Sequence, residues 1–271
     1  MKKLLFCFIV LASFWSCQKT QPVTEVPIKI VASSTAPVAS LAADFSISDQ
    51  ELKNALEIHD RVMLQILNHE IIPDANGHLA SGVATNVISE MNITENVALI
   101  TDVIAEHEAE YGGLTPVQAN TKMLHDSLIS SAQFAVLSNI EAFMSTADNE
   151  SLASFLANCD YAQAQYVTNN PTLSENEKGI INMYLKVCKN SAQLYYSLPN
   201  GGENPNRSCA GGSCKKCLKS NIFYIVAGDA AGAIAGIGAC LLLPPACIAL
   251  LPALMAVGSG ASILMFCSCC I

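Results

Sequence analysis

A long neutral segment at the C-terminus constrains the fold of this chain more than any other feature. The segment 221–243 is apolar apart from Asp229, and no charged residue follows between Ala230 and Ile271. Two consecutive prolines, at 244 and 245, cannot continue a helix, so they divide the segment into two legs. Each leg has about the 20 residues that a bilayer-spanning helix needs. The pattern predicts a helical hairpin over 214–271 that inserts into a membrane.

Small residues in the first leg indicate how the two legs pack. Gly228, Gly232 and Gly236 recur at intervals of four and therefore share one helix face. A partner helix can approach such a face until the backbones touch. The same composition also fits a hairpin buried in a small disulfide-rich domain that never meets lipid, and the sequence leaves both interpretations open.

The N-terminus has the pattern of an export signal. A basic start at residues 1–3 precedes an apolar run over 4–12, and a small residue then stands before Cys17. This order resembles the lipobox of bacterial lipoproteins in its looser, Bacteroidetes-type form, although Phe14 occupies a position where the family usually has an aliphatic residue. The resemblance implies a signal peptide over 1–16, a lipidated Cys17 and a flexible tether over 17–44. It also implies a cell-envelope location, on a membrane and facing the periplasm or the cell surface.

The segment 45–198 is acidic and has helical periodicity throughout. Residues 44–200 include 20 acidic side chains and six basic ones, which argues against a nucleic-acid partner. Capping patterns at Ser48, Thr115 and Ser174 predict helix starts, and a single helix is expected from Pro116 to Phe143. With no alternating strand pattern, we expect a mainly α fold. It is an irregular helix bundle, joined by a linker over 199–213 to the Gly/Ala/Cys-rich hairpin.

The cysteines predict disulfides if the chain is exported. Removal of the signal and acylation of Cys17 leave ten of the twelve cysteines, an even number for an oxidising compartment. Folding at the prolines brings two clusters together at the foot of the hairpin and one pair to its tip, while a last pair remains in the bundle. The foot clusters are Cys209, Cys214 and Cys217 with Cys267, Cys269 and Cys270; the tip pair is Cys240 and Cys247; the bundle pair is Cys159 and Cys188.

Metal and catalytic alternatives have weaker support in the residues. Cys214 and Cys217 have zinc-ligand spacing, and Cys267, Cys269 and Cys270 could supply the other ligands, but an oxidising compartment disfavours a reduced zinc site. No histidine is preceded three residues earlier by glutamate, as a di-iron bundle requires, and no hydrolase motif is present. We therefore expect no catalytic residue, no cofactor, no metal site and no enzymatic activity.

The resulting expectation is a non-enzymatic envelope lipoprotein that associates with membranes. Its hairpin inserts into lipid, and its helical domain is available to another envelope protein. A second resemblance supports an alternative. In cysteine content, Gly/Ala content and layout, the last 63 residues or so are similar to halocin C8-type bacteriocin peptides. That similarity implies a toxin precursor whose C-terminal peptide disrupts membranes.

Overall fold

The fold is mainly α, as the sequence predicts. The computed structural model describes residues 47–198, 214–242, 247–267 and 270, and that part of the chain contains helices and no strand. The signal peptide, lipidated cysteine, tether, linker and proline turn expected from the sequence lie outside the described residues. The helices are α1 Asp49–Leu67, α2 Ala80–Glu90, α3 Val97–Tyr111, α4 Pro116–His125, α5 Ser131–Thr146, α6 Leu152–Ala162, α7 Glu175–Ser197, α8 Cys214–Ser220, α9 Ile222–Leu242 and α10 Cys247–Phe266.

Local capping chemistry sets most helix starts. Ser48, Thr115 and Ser174 each accept a hydrogen bond from the backbone N–H three residues later, and the residue there bonds back to the cap. These reciprocal bonds satisfy N–H groups that the first helical turn leaves unpaired. The start of α2 has no such side-chain cap of its own. The buried carboxylate of Glu108 instead accepts from the backbone N–H groups of Leu79 and Ala80.

The expectation of one helix from Pro116 to Phe143 is wrong. The chain leaves the helix after His125, and Ser127 adopts a left-handed conformation with φ of 60°. Ser130 then starts α5 with a second capping box that includes Gln133. The local bonds of this box stabilise a new start, so residues 126–130 form a turn between two helices.

The hairpin lies at the centre of the helical bundle. Its legs α9 and α10 pack along each other; α9 also packs on α7 and α4, and α10 packs on α1, α3 and α2. Nearly every described side chain from Ala230 to Ile263 is buried, in one hydrophobic core with the acidic helices. The hairpin is therefore not a separate domain beside the helical bundle, because the apolar stripes of the bundle cover it.

The glycine face of α9 is turned towards α10. A Cβ atom at Gly228 would lie 2.6 Å from Ser262 Oγ, and one at Gly236 would lie 3.1 Å from Leu251 Cδ1. At Gly232 the nearest atoms belong to the backbone of Leu254 and Met255. The absence of side chains on this face lets the two legs approach to backbone contact.

Candidate functional site

Two disulfides close the foot of the hairpin. Cys214 and Cys217, in α8, pair with Cys270 and Cys267, at the end of α10. These bridges occupy the thiols that the zinc alternative required, and the described residues contain no metal-binding cluster of His, Cys, Asp and Glu. Cys240 lies in α9 and Cys247 begins α10. Cys209 and Cys269 lie outside the described residues.

The bridge expected between Cys159 and Cys188 is not formed. Both residues are buried with free thiols, on the neighbouring helices α6 and α7. The reason lies in the direction of the Cys188 side chain. Its Sγ contacts the carbonyl oxygen of Val226 in α9 at 3.7 Å, so the thiol faces the hairpin. Burial raises the pKa of both thiols, which disfavours the reactive thiolate.

A charged pair joins the hairpin to the surrounding helices. Asp229 carries the only charge between residues 220 and 271, and His59 of α1 faces it. Both side chains are 0 % exposed, and His59 Nε2 lies 3.2 Å from Asp229 Oδ1. On the other side of the ring, His59 Nδ1 lies 2.9 Å from Asp60 Oδ1. The imidazole thus lies between a buried carboxylate of the hairpin and a partly exposed carboxylate of its own helix.

The two carboxylates determine the charge of His59. Burial alone would lower the pKa of this imidazole, but Asp229 first and Asp60 second outweigh it and raise the pKa to about 9. His59 is therefore a cation at neutral pH. The contact is an ion pair whose geometry falls outside that of a hydrogen bond, and no described group donates a hydrogen bond to either Asp229 oxygen.

Buried uncharged polar groups also lie in this core, and Tyr195 of α7 is near the charged pair. Tyr195 and Ser191 of α7 are buried, and neither hydroxyl has a hydrogen-bond partner among the described residues. Ser259 of α10 is also buried, with its Oγ 3.0 Å from Met63 Sδ. A buried polar group without a partner is costly to the folded state.

A second histidine contacts the glycine face of the hairpin. His107 of α3 stacks on Tyr111, with ring centroids 4.8 Å apart, in a crevice that Gly228 and Ser262 also line. Burial lowers the pKa of His107 to about 4, so the ring is neutral at neutral pH. Its Nε2 has no hydrogen-bond partner in the described part of the chain.

The sequence contains both residues of the charged pair in unusual positions but does not show that they meet. His59 occurs within the apolar stripe of α1, and Asp229 is the lone charge of its leg. Lys219 is the basic residue nearest to Asp229 in the sequence, but its Nζ lies over the Tyr196 ring, 5.7 Å from the centroid. Only the tertiary packing of α1 on the hairpin brings His59 and Asp229 together.

An open cleft with a volume of about 830 Å³ lies beside the foot of the hairpin. Lys216 and Lys219 line it together with Asp148 and Glu150. Since the cleft has both signs of charge, it shows no preference for one class of ion.

Fold and site together define a helical protein with an apolar, doubly bridged hairpin enclosed by acidic helices and joined to them by a buried ion pair. In comparisons with protein families, curated proteins and solved structures, no match to this chain is found. Among the described residues, no helix combines the length and hydrophobicity required to cross a membrane.

Proposed function

We propose that this chain is a non-enzymatic lipoprotein of the cell envelope that delivers its C-terminal hairpin to a membrane. Acyl chains on Cys17 hold the protein at a bilayer, and the acidic helices cover the hairpin until it enters lipid. The observation that carries the proposal is the position of the hairpin. Two legs that are apolar apart from Asp229 are buried by contacts with each other and with amphipathic helices of the same chain.

Two apolar environments, the protein core and the lipid bilayer, can cover the hairpin. A neutral helix has satisfied backbone hydrogen bonds, so lipid is an acceptable alternative to the protein core. The surrounding helices are less suited to lipid, because their outer faces carry most of the 20 acidic residues of 44–200. Separation of the hairpin from those helices would move two apolar legs into lipid with one acidic residue, Asp229.

A designed disulfide tests whether the hairpin has to leave the bundle. A Cβ atom added at Gly260 of α10 would lie 2.6 Å from Leu79 Cδ1 and 4.0 Å from Leu79 Cγ. The double variant Leu79→Cys with Gly260→Cys therefore places two sulfurs in the space of the leucine side chain and locks α10 to the start of α2. Cys17→Ala in the same protein removes the acyl anchor, so that membrane binding reports on the hairpin alone.

The assay is flotation with vesicles of phosphatidylcholine and phosphatidylglycerol, from about pH 7.5 to about pH 4.5. We expect the unlocked protein and each single-cysteine variant to float, and the oxidised double variant to remain in solution. Reduction should restore flotation of the double variant, and reduced unlocked protein serves as its control because the native bridges are reduced too. Flotation of the locked protein, or no flotation of the unlocked protein at any pH, would refute the proposal.

The two bridges at the foot support a second candidate function. Because α8 is joined covalently to the end of α10, residues 214–270 form a closed unit whose ends stay together. Such a unit fits a membrane-disrupting peptide that is cut from a precursor. Cleavage within 199–213 in cells, with dye release from vesicles by the purified fragment, would favour this function over the anchored protein.

A further inference from the structure

The two disulfides at the foot of the hairpin differ in their exposure to solvent. Cys214 and Cys270 are both 0 % exposed, so the bridge between them is inaccessible while the protein stays folded. In the second bridge, Cys267 is 1 % exposed but Cys217 is only partly buried. Of these four cysteines, Cys217 is therefore the one that a reagent in solution reaches.

A side-chain amide lies beside both sulfurs of the accessible bridge. Asn221, between α8 and α9, places its Nδ2 3.6 Å from Cys217 Sγ and 3.8 Å from Cys267 Sγ. The same Nδ2 donates to the backbone carbonyl oxygen of Cys217 at 3.0 Å, which holds the amide in position. A hydrogen bond donated to sulfur stabilises the thiolate relative to the thiol. The amide is therefore placed to stabilise the charge that develops when this bridge opens.

We propose that the bridge between Cys217 and Cys267 is a site of thiol–disulfide exchange, whose substrate is the thiolate of an external thiol compound. The attacking sulfur bonds to Cys217 Sγ while the bond between the two cysteine sulfurs breaks, and the electron pair of that bond leaves on Cys267. A second external thiolate then attacks the external sulfur of the mixed disulfide and releases Cys217 as a thiolate. Two external thiols are thereby oxidised to a disulfide, the bridge gains two electrons, and the protons given up by those thiols neutralise the two cysteines.

The roles of the two sulfurs follow from their surroundings. Exposure makes Cys217 the sulfur that is attacked, and Cys267 is then the leaving group. Burial by itself disfavours a thiolate at Cys267, and the Asn221 amide offsets this effect, so Asn221 is a positioning residue for the exchange. The inaccessible bridge between Cys214 and Cys270 stays closed. It keeps α8 at the end of α10, so the opened pair can form its bond again.

The inference goes beyond the proposed membrane function and does not depend on it, because exchange needs only the folded foot of the hairpin. The test uses the full-length oxidised protein in buffer without vesicles. Reduced glutathione is added at about pH 8, near the ordinary thiol pKa, and samples are stopped at intervals with N-ethylmaleimide in denaturant. Mass spectrometry of the peptides then identifies the cysteine that carries glutathione and the cysteine that carries the alkyl group.

At early times we expect glutathione on Cys217 and the alkyl group on Cys267. The bridge between Cys214 and Cys270 should open at least about tenfold more slowly, because thiols have no access to it in the folded protein. Glutathione on Cys267 instead of Cys217 would overturn the proposal. Equal opening rates for the two bridges would overturn it too, since exchange would then follow unfolding, as would a bridge that glutathione leaves closed.

A second thiol source distinguishes a small thiol from a protein thiol. The probe is a reduced protein with a C-x-x-C pair, in which the resolving cysteine is replaced by serine so that the mixed disulfide is trapped. Attachment at Cys217 is expected with both sources. The larger second-order rate constant identifies the source that the site takes.

The role of Asn221 is tested through the pKa of the leaving thiol. In the Cys217→Ser variant, Cys267 is a free thiol beside the amide, and the pH dependence of its alkylation by iodoacetamide gives its pKa. Addition of Asn221→Leu should raise that pKa by about one unit, a tenfold loss of thiolate. In the protein with both native bridges, Asn221→Leu should slow the attack of glutathione by a similar factor.

Ser220→Ala is the matched control for this substitution. Ser220 Oγ donates to the Lys216 carbonyl oxygen one helical turn earlier, as Asn221 donates to that of Cys217, and no described contact joins it to a sulfur. It should leave both the pKa of Cys267 and the rate of exchange unchanged. An equal pKa with and without the Asn221 amide, or the same slowing in Ser220→Ala, would refute the positioning role.

Discussion

The backbone contact between the two hairpin legs predicts a strong effect of a single methyl group at Gly232. A Cβ atom there would lie 2.7 Å from the carbonyl carbon of Leu254 and 2.9 Å from Cα of Met255. An unstrained carbon–carbon contact needs about 3.5 Å, so the legs must separate by about 0.8 Å. The obstructing atoms belong to the backbone of α10, and a backbone cannot rotate away as a side chain can.

The magnitude follows from two opposing effects. Overpacking of a tight core costs about 1–3 kcal/mol, and this case belongs at the upper end because the bundle encloses both legs. Alanine in place of glycine within a helix returns about 0.5–1 kcal/mol. We therefore expect Gly232→Ala to lower the free energy of unfolding by about 2 kcal/mol.

The control uses the same substitution where nothing obstructs it. A Cβ atom at Gly179 of α7 meets no atom within 4 Å. Gly179→Ala should therefore stabilise the protein by about 0.5–1 kcal/mol through helix propensity alone. Urea unfolding of the oxidised proteins, followed by circular dichroism at the helix band, measures both changes. If the two variants change stability in the same direction, the legs are not in backbone contact and the reasoning is refuted.

Three further predictions concern charge and covalent closure. Burial raises the pKa of Glu141 to about 8, so the protonated carboxyl stabilises the fold fully below the unfolded-state pKa of 4.5, and this stabilisation is lost as the pH rises to 8. Glu141→Gln should flatten that loss of stability in urea unfolding measured at each pH. Burial lowers the pKa of His107 to about 4, so stability falls as the pH drops from 6.5 towards 4, and His107→Gln should remove this fall in thermal melts at each pH. Joint replacement of Cys217 and Cys267 by serine should cost about 2–3 kcal/mol by urea unfolding, less than a lone bridge across 50 residues, because the bridge at Cys214 still closes the foot.

Local interactions explain which parts of the fold the sequence predicts. The capping boxes at Ser48, Thr115 and Ser174 each lie within four consecutive residues, so the sequence alone shows them. The turn before α5 depends on a box of the same kind, in which Ser130 and Gln133 have the required spacing. That signal was present in the sequence, and the helical periodicity across it concealed the break.

Tertiary packing between distant helices explains what the sequence does not predict. Neutral legs of this length avoid water, but composition does not specify whether lipid or protein covers them. The position of the hairpin depends on stripes contributed by α1, α3 and α7. The chain separation is as large as 196 residues, between Met63 of α1 and Ser259 of α10. The same holds for Cys188, whose direction towards Val226 follows from the packing of α7 on α9.

Because Asp229 is charged, burial of the hairpin depends on a group that compensates this charge. A wholly apolar hairpin would favour the protein core or lipid according to packing alone. An ionised aspartate costs about 2.5–3.5 kcal/mol in the centre of a bilayer. In the bundle, the His59 imidazolium faces Asp229 and offsets the corresponding cost, and Asp229 together with Asp60 raises the pKa of His59 to about 9 against the effect of burial. Burial of the hairpin in the bundle therefore depends on His59, because an ionised carboxylate without a cation beside it is costly in the protein core as it is in lipid.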